Sequence, residues 1–140
     1  MRLEQMNRRS LLLGGTAAFL AGCSRWQVQY EAGLDPAVTR SWKLRAVNVT
    51  VPEGLTVSND NVLAPNADIV WHGEPFGDRR AQVHKIMEEG LQRGGSALPG
   101  SKDVTIVSRL QHFHAVTPAA VSRSPAAVHN IAFRIQVFDS

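Results

Sequence analysis

His112 and His114 are the residues whose spacing points most directly to chemistry. On a strand, residues i and i+2 face the same way, so His112-x-His114 would present two imidazoles side by side. Two such rings can ligate one metal ion. His129 would join them if the flanking strands form an antiparallel hairpin, giving a three-histidine zinc or copper set. The alternative is that Phe113 and Val116 mark the end of a strand and the histidines are solvated or hydrogen-bonded. No carboxylate lies close in sequence to support a metal ligand. A second group comprises Asp68, His72, Glu74, Asp78, Arg79 and Arg80. A helix starting here would offer its free N–H groups to an anion, and Arg79 and Arg80 would oppose its dipole. Asp78-Arg79-Arg80 is therefore a candidate contact for an anion, a lipid headgroup or a partner. The competing reading is that Asp78 caps the helix, Asp68 pairs with an arginine, and the arginines are solvated. The sequence has no G-x-S-x-G elbow, H-E-x-x-H, C-x-x-C pair or P-loop. No residue is assigned a catalytic role, and no cofactor is expected.

The remaining reactive group is Cys23, the only cysteine among 140 residues. It follows Leu20-Ala21-Gly22, which resembles the lipobox of bacterial lipoproteins. That resemblance implies a diacylglycerol on the Cys23 sulfur, cleavage between Gly22 and Cys23, and acylation (palmitate) of the new amino group. The residues before it fit an export leader: Arg8 and Arg9, an apolar run from Leu11 to Leu20, and small residues at the cut. Gly14, Gly15 and Thr16 interrupt the run, which is too short for a transmembrane helix of about 20 apolar residues. The arginine pair followed by Ser10, Leu11 and Leu12 resembles a twin-arginine signal, with Asn7 and Leu13 departing from it; Met6 would also make a complete start. Ser24 after the acylated position implies sorting to the outer membrane. An acylated Cys23 leaves no thiol for disulfides, metal binding or catalysis.

Charge excludes little by itself but removes one function class. Arg2, Arg8 and Arg9 against Glu4 put +2 of the formal +3 in the leader, and the later basic residues are scattered. Nothing favours a nucleic-acid partner. The expected partners are the membrane, through the lipid, and an envelope protein.

The elements that must hold these residues follow from periodicity. Residues 24–41 read as a tether with an Asp35-Pro36 turn. The first strand spans 42–51; Trp42, Leu44 and Ala46 alternate, then Val47, Val49 and Val51 do so in the opposite phase. That switch predicts a bulge or a strand covered on both sides. A short edge strand fits 55–57, and Ile69-Val70-Trp71 marks a second strand within 67–72. Asp78 caps a helix over 79–93 whose Val83, Ile86, Met87, Gly90 and Leu91 form an apolar face; Gly94-Gly95 is its expected stop. The third strand covers 104–112, a Pro/Ser/Ala connection covers 117–127, and the fourth strand covers 130–138. On that last strand Ile131, Phe133, Ile135 and Val137 should face the core, and Ala132, Arg134 and Gln136 the solvent.

The expected architecture is α+β: a small mixed or antiparallel sheet of three to four strands with one amphipathic helix packed on it. Residues 1–22 form the signal peptide, 23–41 the lipidated tether and 42–140 the domain. Its core would be thin, leaving one sheet face for a second subunit, another protein or further residues. Ala67-Asp68-Ile69-Val70-Trp71, Gly77-Asp78-Arg79 and Gln82-Val83 carry a resemblance to a domain of unknown function found in Gram-negative lipoproteins. Members of that family extend past the equivalent of Phe138-Asp139 into more sheet and helix. The resemblance implies a location and an architecture, with no activity. The functional expectation is a lipid-anchored, periplasm-facing outer-membrane lipoprotein acting as a non-enzymatic binding or assembly module. The alternative is a metal-binding protein or metal-dependent enzyme using His112, His114 and His129.

Overall fold

The computed structural model of the protein describes residues 33–124 and 126–140. The Leu20–Cys23 motif and the leader lie outside these residues. Leu34–Ser140 forms one compact unit. It opens with α1 (Pro36–Thr39), where the Asp35 side chain accepts from the Ala37 N–H at 2.8 Å and Pro36 pre-sets the first helical φ. The expected Asp35-Pro36 turn is thus a helix cap. Then follow β1 (Trp42–Thr50), β2 (Val57–Ser58), β3 (Ile69–Val70), α2 (Arg79–Gly95), β4 (Lys102–His114), α3 (Pro118–Arg123) and β5 (Asn130–Asp139).

The sheet has five strands and is mixed, which corrects both the count of three to four and the antiparallel option. Two short helices join the expected long one. Parallel pairs link β1 to β4, β2 to β3 and β3 to β4; only β4 and β5 run antiparallel. β5 occupies one edge of β4 from Val104 to His114. β1 takes the other edge from Lys102 to Arg109, and β3 takes it at Phe113 and His114. The thirteen residues of β4 therefore form the spine.

Two bulges set the faces. On β1 the register slips between Leu44 and Ala46, leaving Arg45 unpaired. The slip resolves the phase switch in the sequence: Trp42 and Leu44 before it, and Val47 and Val49 after it, all share the face of Val104, Ile106 and Ser108. On β4 the register against β5 slips at Gln111. Leu110 and Phe113 thereby share that face, while His112 and His114 take the other.

Helix α2 covers the first face over β1 and β3. Asp78 accepts from the N–H groups of Arg80 and Ala81 at 3.0 and 3.1 Å, and Val83 and Met87 are buried. They join Ile69, Leu110, Phe113 and Ala115 in the core. Gly94-Gly95 does not stop the helix, which runs to the Ser96 cap. Gly95 is buried because α2 crosses β1 there; a Cβ at this position would sit 2.6 Å from Leu44 Cδ2. His84 Nε2 lies 3.1 Å from the Val49 carbonyl and ties the helix to the same strand. No helix among the described residues is long and apolar enough to cross a membrane.

Cover stops before β5. Its register places Ile131, Phe133, Ile135 and Val137 on the helix side, as alternation predicts. They are not a core row, however: Ile131, Phe133 and Ile135 remain 39%, 39% and 42% exposed. One helix about 10 Å across cannot span every strand.

Candidate functional site

The parallel pairing of β3 with β4 brings chemistry together at the carboxyl end of the sheet. Ile69 lies beside Phe113, and Asp68, one residue earlier, comes beside His112. Asp68, His112 and His114, with Ala67 and Asn130, line a cavity of about 370 Å³. Asp68 is held firmly. Its Oδ2 accepts from the Thr56 N–H at 2.7 Å and the Thr56 hydroxyl at 2.8 Å, while its own N–H donates to Thr56 Oγ1 at 3.0 Å. These bonds, the backbone one first, hold the carboxyl below its ordinary value; burial opposes them slightly and the nearby His112 assists. His112 Nε2 is buried without a hydrogen-bond partner among the described residues. His114 Nε2 lies 2.9 Å from the Pro65 carbonyl.

His112 and His114 thus share a face, as i and i+2 spacing requires. His129 does not join them. The β4–β5 hairpin forms, but its register pairs His114 with Asn130, one residue past His129. His129 Nδ1 instead accepts from the Val116 N–H at 3.2 Å. His129 lines a second cavity of about 530 Å³ with Trp71, His72, Gly73, Val116 and Pro118. Among the described residues, no three histidines or carboxylates are placed to hold a metal ion. The three-histidine set is corrected to a pair facing one carboxylate. Ser108 cannot complete a serine–histidine–aspartate relay with that pair, because it points to the helix side of the sheet and His112 to the other.

The arginines at the start of α2 are likewise accounted for. Arg79 is buried; its Nε donates to Asn59 Oδ1 at 2.7 Å. Its Nη1 donates to Gln82 Oε1 at 2.7 Å and to the Glu74 and Pro75 carbonyls at 3.2 and 3.3 Å. The guanidinium also lies 5.7 Å from the Phe76 ring centroid. Arg80 donates to the Pro52 carbonyl at 2.7 Å and to the Leu55 carbonyl. Arg79 and Arg80 therefore bind this chain's own loops, while Asp78 caps their helix. A guanidinium offers donors in a fixed fork, which suits several carbonyls at once. This use explains why two cations tolerate the positive end of a helix dipole. Asp68 pairs with Thr56 rather than with an arginine.

Residues 42–140, well over half of the chain, match the model of a family of unknown function (DUF6778). The chain belongs to this family. The DUF6778 match begins at Trp42, the first residue of β1, and includes the lining of both cavities and Arg79 and Arg80. No curated protein matches the chain, and no solved structure does.

The residue that sequence reasoning placed in the wrong group is Asp68. It was legible as a neighbour of His112 only through the strand–helix–strand pattern: a parallel crossover that aligns Ile69 with Phe113 puts Asp68 beside His112. His72 has no such signal. Its Nε2 is buried without a partner among the described residues, against the second cavity.

Proposed function

We propose that this DUF6778 protein is a lipid-anchored lipoprotein of the cell envelope whose domain serves as a non-enzymatic binding or accessory module. The observation that carries the anchor is Leu20-Ala21-Gly22-Cys23 at the end of a charged-then-apolar leader, with Cys23 the only cysteine in the chain. Cleavage before Cys23 and addition of more than one acyl chain would hold the protein stably on a bilayer. Ser24 supports the outer membrane, with the domain facing the periplasm, and Arg8-Arg9 supports export by the twin-arginine route. The accessory role is supported by how the polar groups are used. Arg79, Arg80 and Thr56 stitch loops to the fold, and Asp78 caps the helix that carries the two arginines.

The anchor is tested by cell fractionation and intact mass. The expected product begins at Cys23, carries acyl chains and enters the detergent phase. Cys23→Ser protein should move to the soluble envelope fraction. A Cys23→Ser protein that remained membrane-bound would refute the anchor.

A further inference from the structure

We propose that two copies of this chain associate through β5, each strand pairing antiparallel with its counterpart about a two-fold axis at Ile135. The inference does not depend on lipidation. It rests on the edge and the face of one strand. Among the described residues β5 pairs with β4 alone, so its outer row of N–H and C=O groups has no strand partner. The strand is ten residues long, contains no proline or glycine, and carries no bulge of its own, since the slip in the ladder falls at Gln111 of β4. Edges that stay single are usually interrupted by lysine, proline or a bulge. β1, the strand on the opposite flank, has Lys43, Arg45 and a bulge at Arg45. β5 has Arg134 as its only basic residue.

Self-pairing satisfies the edge on both copies with one interface, as an isologous contact requires. Charge and overlap select the register. A two-fold at Arg134 would set Arg134 against itself, with Arg109 already paired behind each copy, so four guanidiniums would line up across the sheet. A two-fold at Ile135 sets Arg134 against Gln136 of the second copy. It also pairs the strand from Ile131 to Asp139, whereas centring on Phe133 or Gln136 leaves more of β5 without a strand partner. On the helix side Ile135 then meets Ile135 of the second copy, and Phe133 meets Val137. On the other face Phe138, half exposed, meets Ala132. The exposed apolar rows become a shared strip between two α2 helices.

The test uses the full chain carrying Cys23→Ser, so that an introduced thiol is the only one. Sedimentation equilibrium should give the mass of two chains, falling to one chain in Ile135→Arg with unchanged far-UV circular dichroism. Should that variant unfold, cross-linking carries the test. Ile135→Cys should oxidise to a covalent dimer, because opposed residues have Cβ atoms about 5 Å apart. Ile131→Cys should not, because it lies eight residues, about 27 Å, along the strand from its counterpart. A single-chain mass throughout the micromolar range would overturn the proposal, whether or not the β5 amides are protected from exchange. Equal cross-linking at positions 131 and 135 would overturn it as well.

Discussion

The two flanks of β4 carry similar sequences and meet different fates. β1 and β5 each present a row of branched and aromatic residues to the same side of the sheet. On the β1 flank the row is closed over by α2, drawn close enough that Gly95 abuts Leu44. On the β5 flank the row stays open, with Phe133 39% exposed beside a Leu110 that is 1% exposed. Directly paired neighbours on one face thus differ because the helix lies over one and not the other. Apolar periodicity identifies a row that needs cover; it does not say what supplies the cover.

The sharpest way to break this comparison is to truncate that pair. Leu110→Ala should cost about 2–5 kcal/mol, as for other fully buried leucines. Phe133→Ala should cost the single chain about 1 kcal/mol or less. Urea denaturation at low protein concentration measures both; equal losses would mean that the two flanks are covered alike.

A second contrast concerns arginines. Arg79→Lys should cost about 2–3 kcal/mol, because a lysine cannot serve Asn59, Gln82 and the Glu74–Pro75 carbonyls together. Arg134→Lys, on exposed β5, should stay within about 0.5 kcal/mol. Thermal unfolding of the two variants side by side reads the difference.

A smaller effect should appear in acid. Thr56 holds the Asp68 carboxyl below its ordinary value, so the ionised form is favoured in the folded protein. Its contribution is complete above about pH 5, where the unfolded group is already ionised, and fades as pH falls through the lower folded value. Asp68→Asn should flatten the acid limb of the stability profile, followed by denaturation from pH 6 to pH 2. Thr56→Val should flatten the same limb, and the two changes together should do little more than either alone.

The smallest effect is expected at the open flank. Lys102 Nζ and Asp139 Oδ1 are 2.9 Å apart, but both side chains are more than half exposed. Lys102→Ala should change stability by about 0.5 kcal/mol or less, and added salt should shrink the difference further.

Much of this was legible from local pattern. The phase switch along β1 called for either a bulge or cover on both faces, and the slip at Arg45 is the bulge. Asp78 was readable as a cap, and Val83, Ile86, Met87 and Leu91 as a helix face. The histidines were half legible. Spacing correctly kept His112 and His114 on one face, but it could not see that the hairpin register pairs His114 with Asn130, leaving His129 to bond Val116. The roles of Arg79 and Arg80 were not legible. Their acceptors at Asn59, Pro52 and Leu55 lie 20 to 28 residues away.

The sequence by itself determined the long helix, the long strands and the alternation of their faces, since these follow from neighbours within a few residues. It also determines the family, through residues 42–140. Which residues meet was decided only by the tertiary structure. Asp68 reaches His112 because β3 lies parallel to β4, and Gly95 sits within α2 because the helix crosses Leu44. The apolar row of β5 stays open because a single helix is narrower than the sheet. Each outcome depends on the order and spacing of strands, which long-range packing sets and local periodicity does not encode.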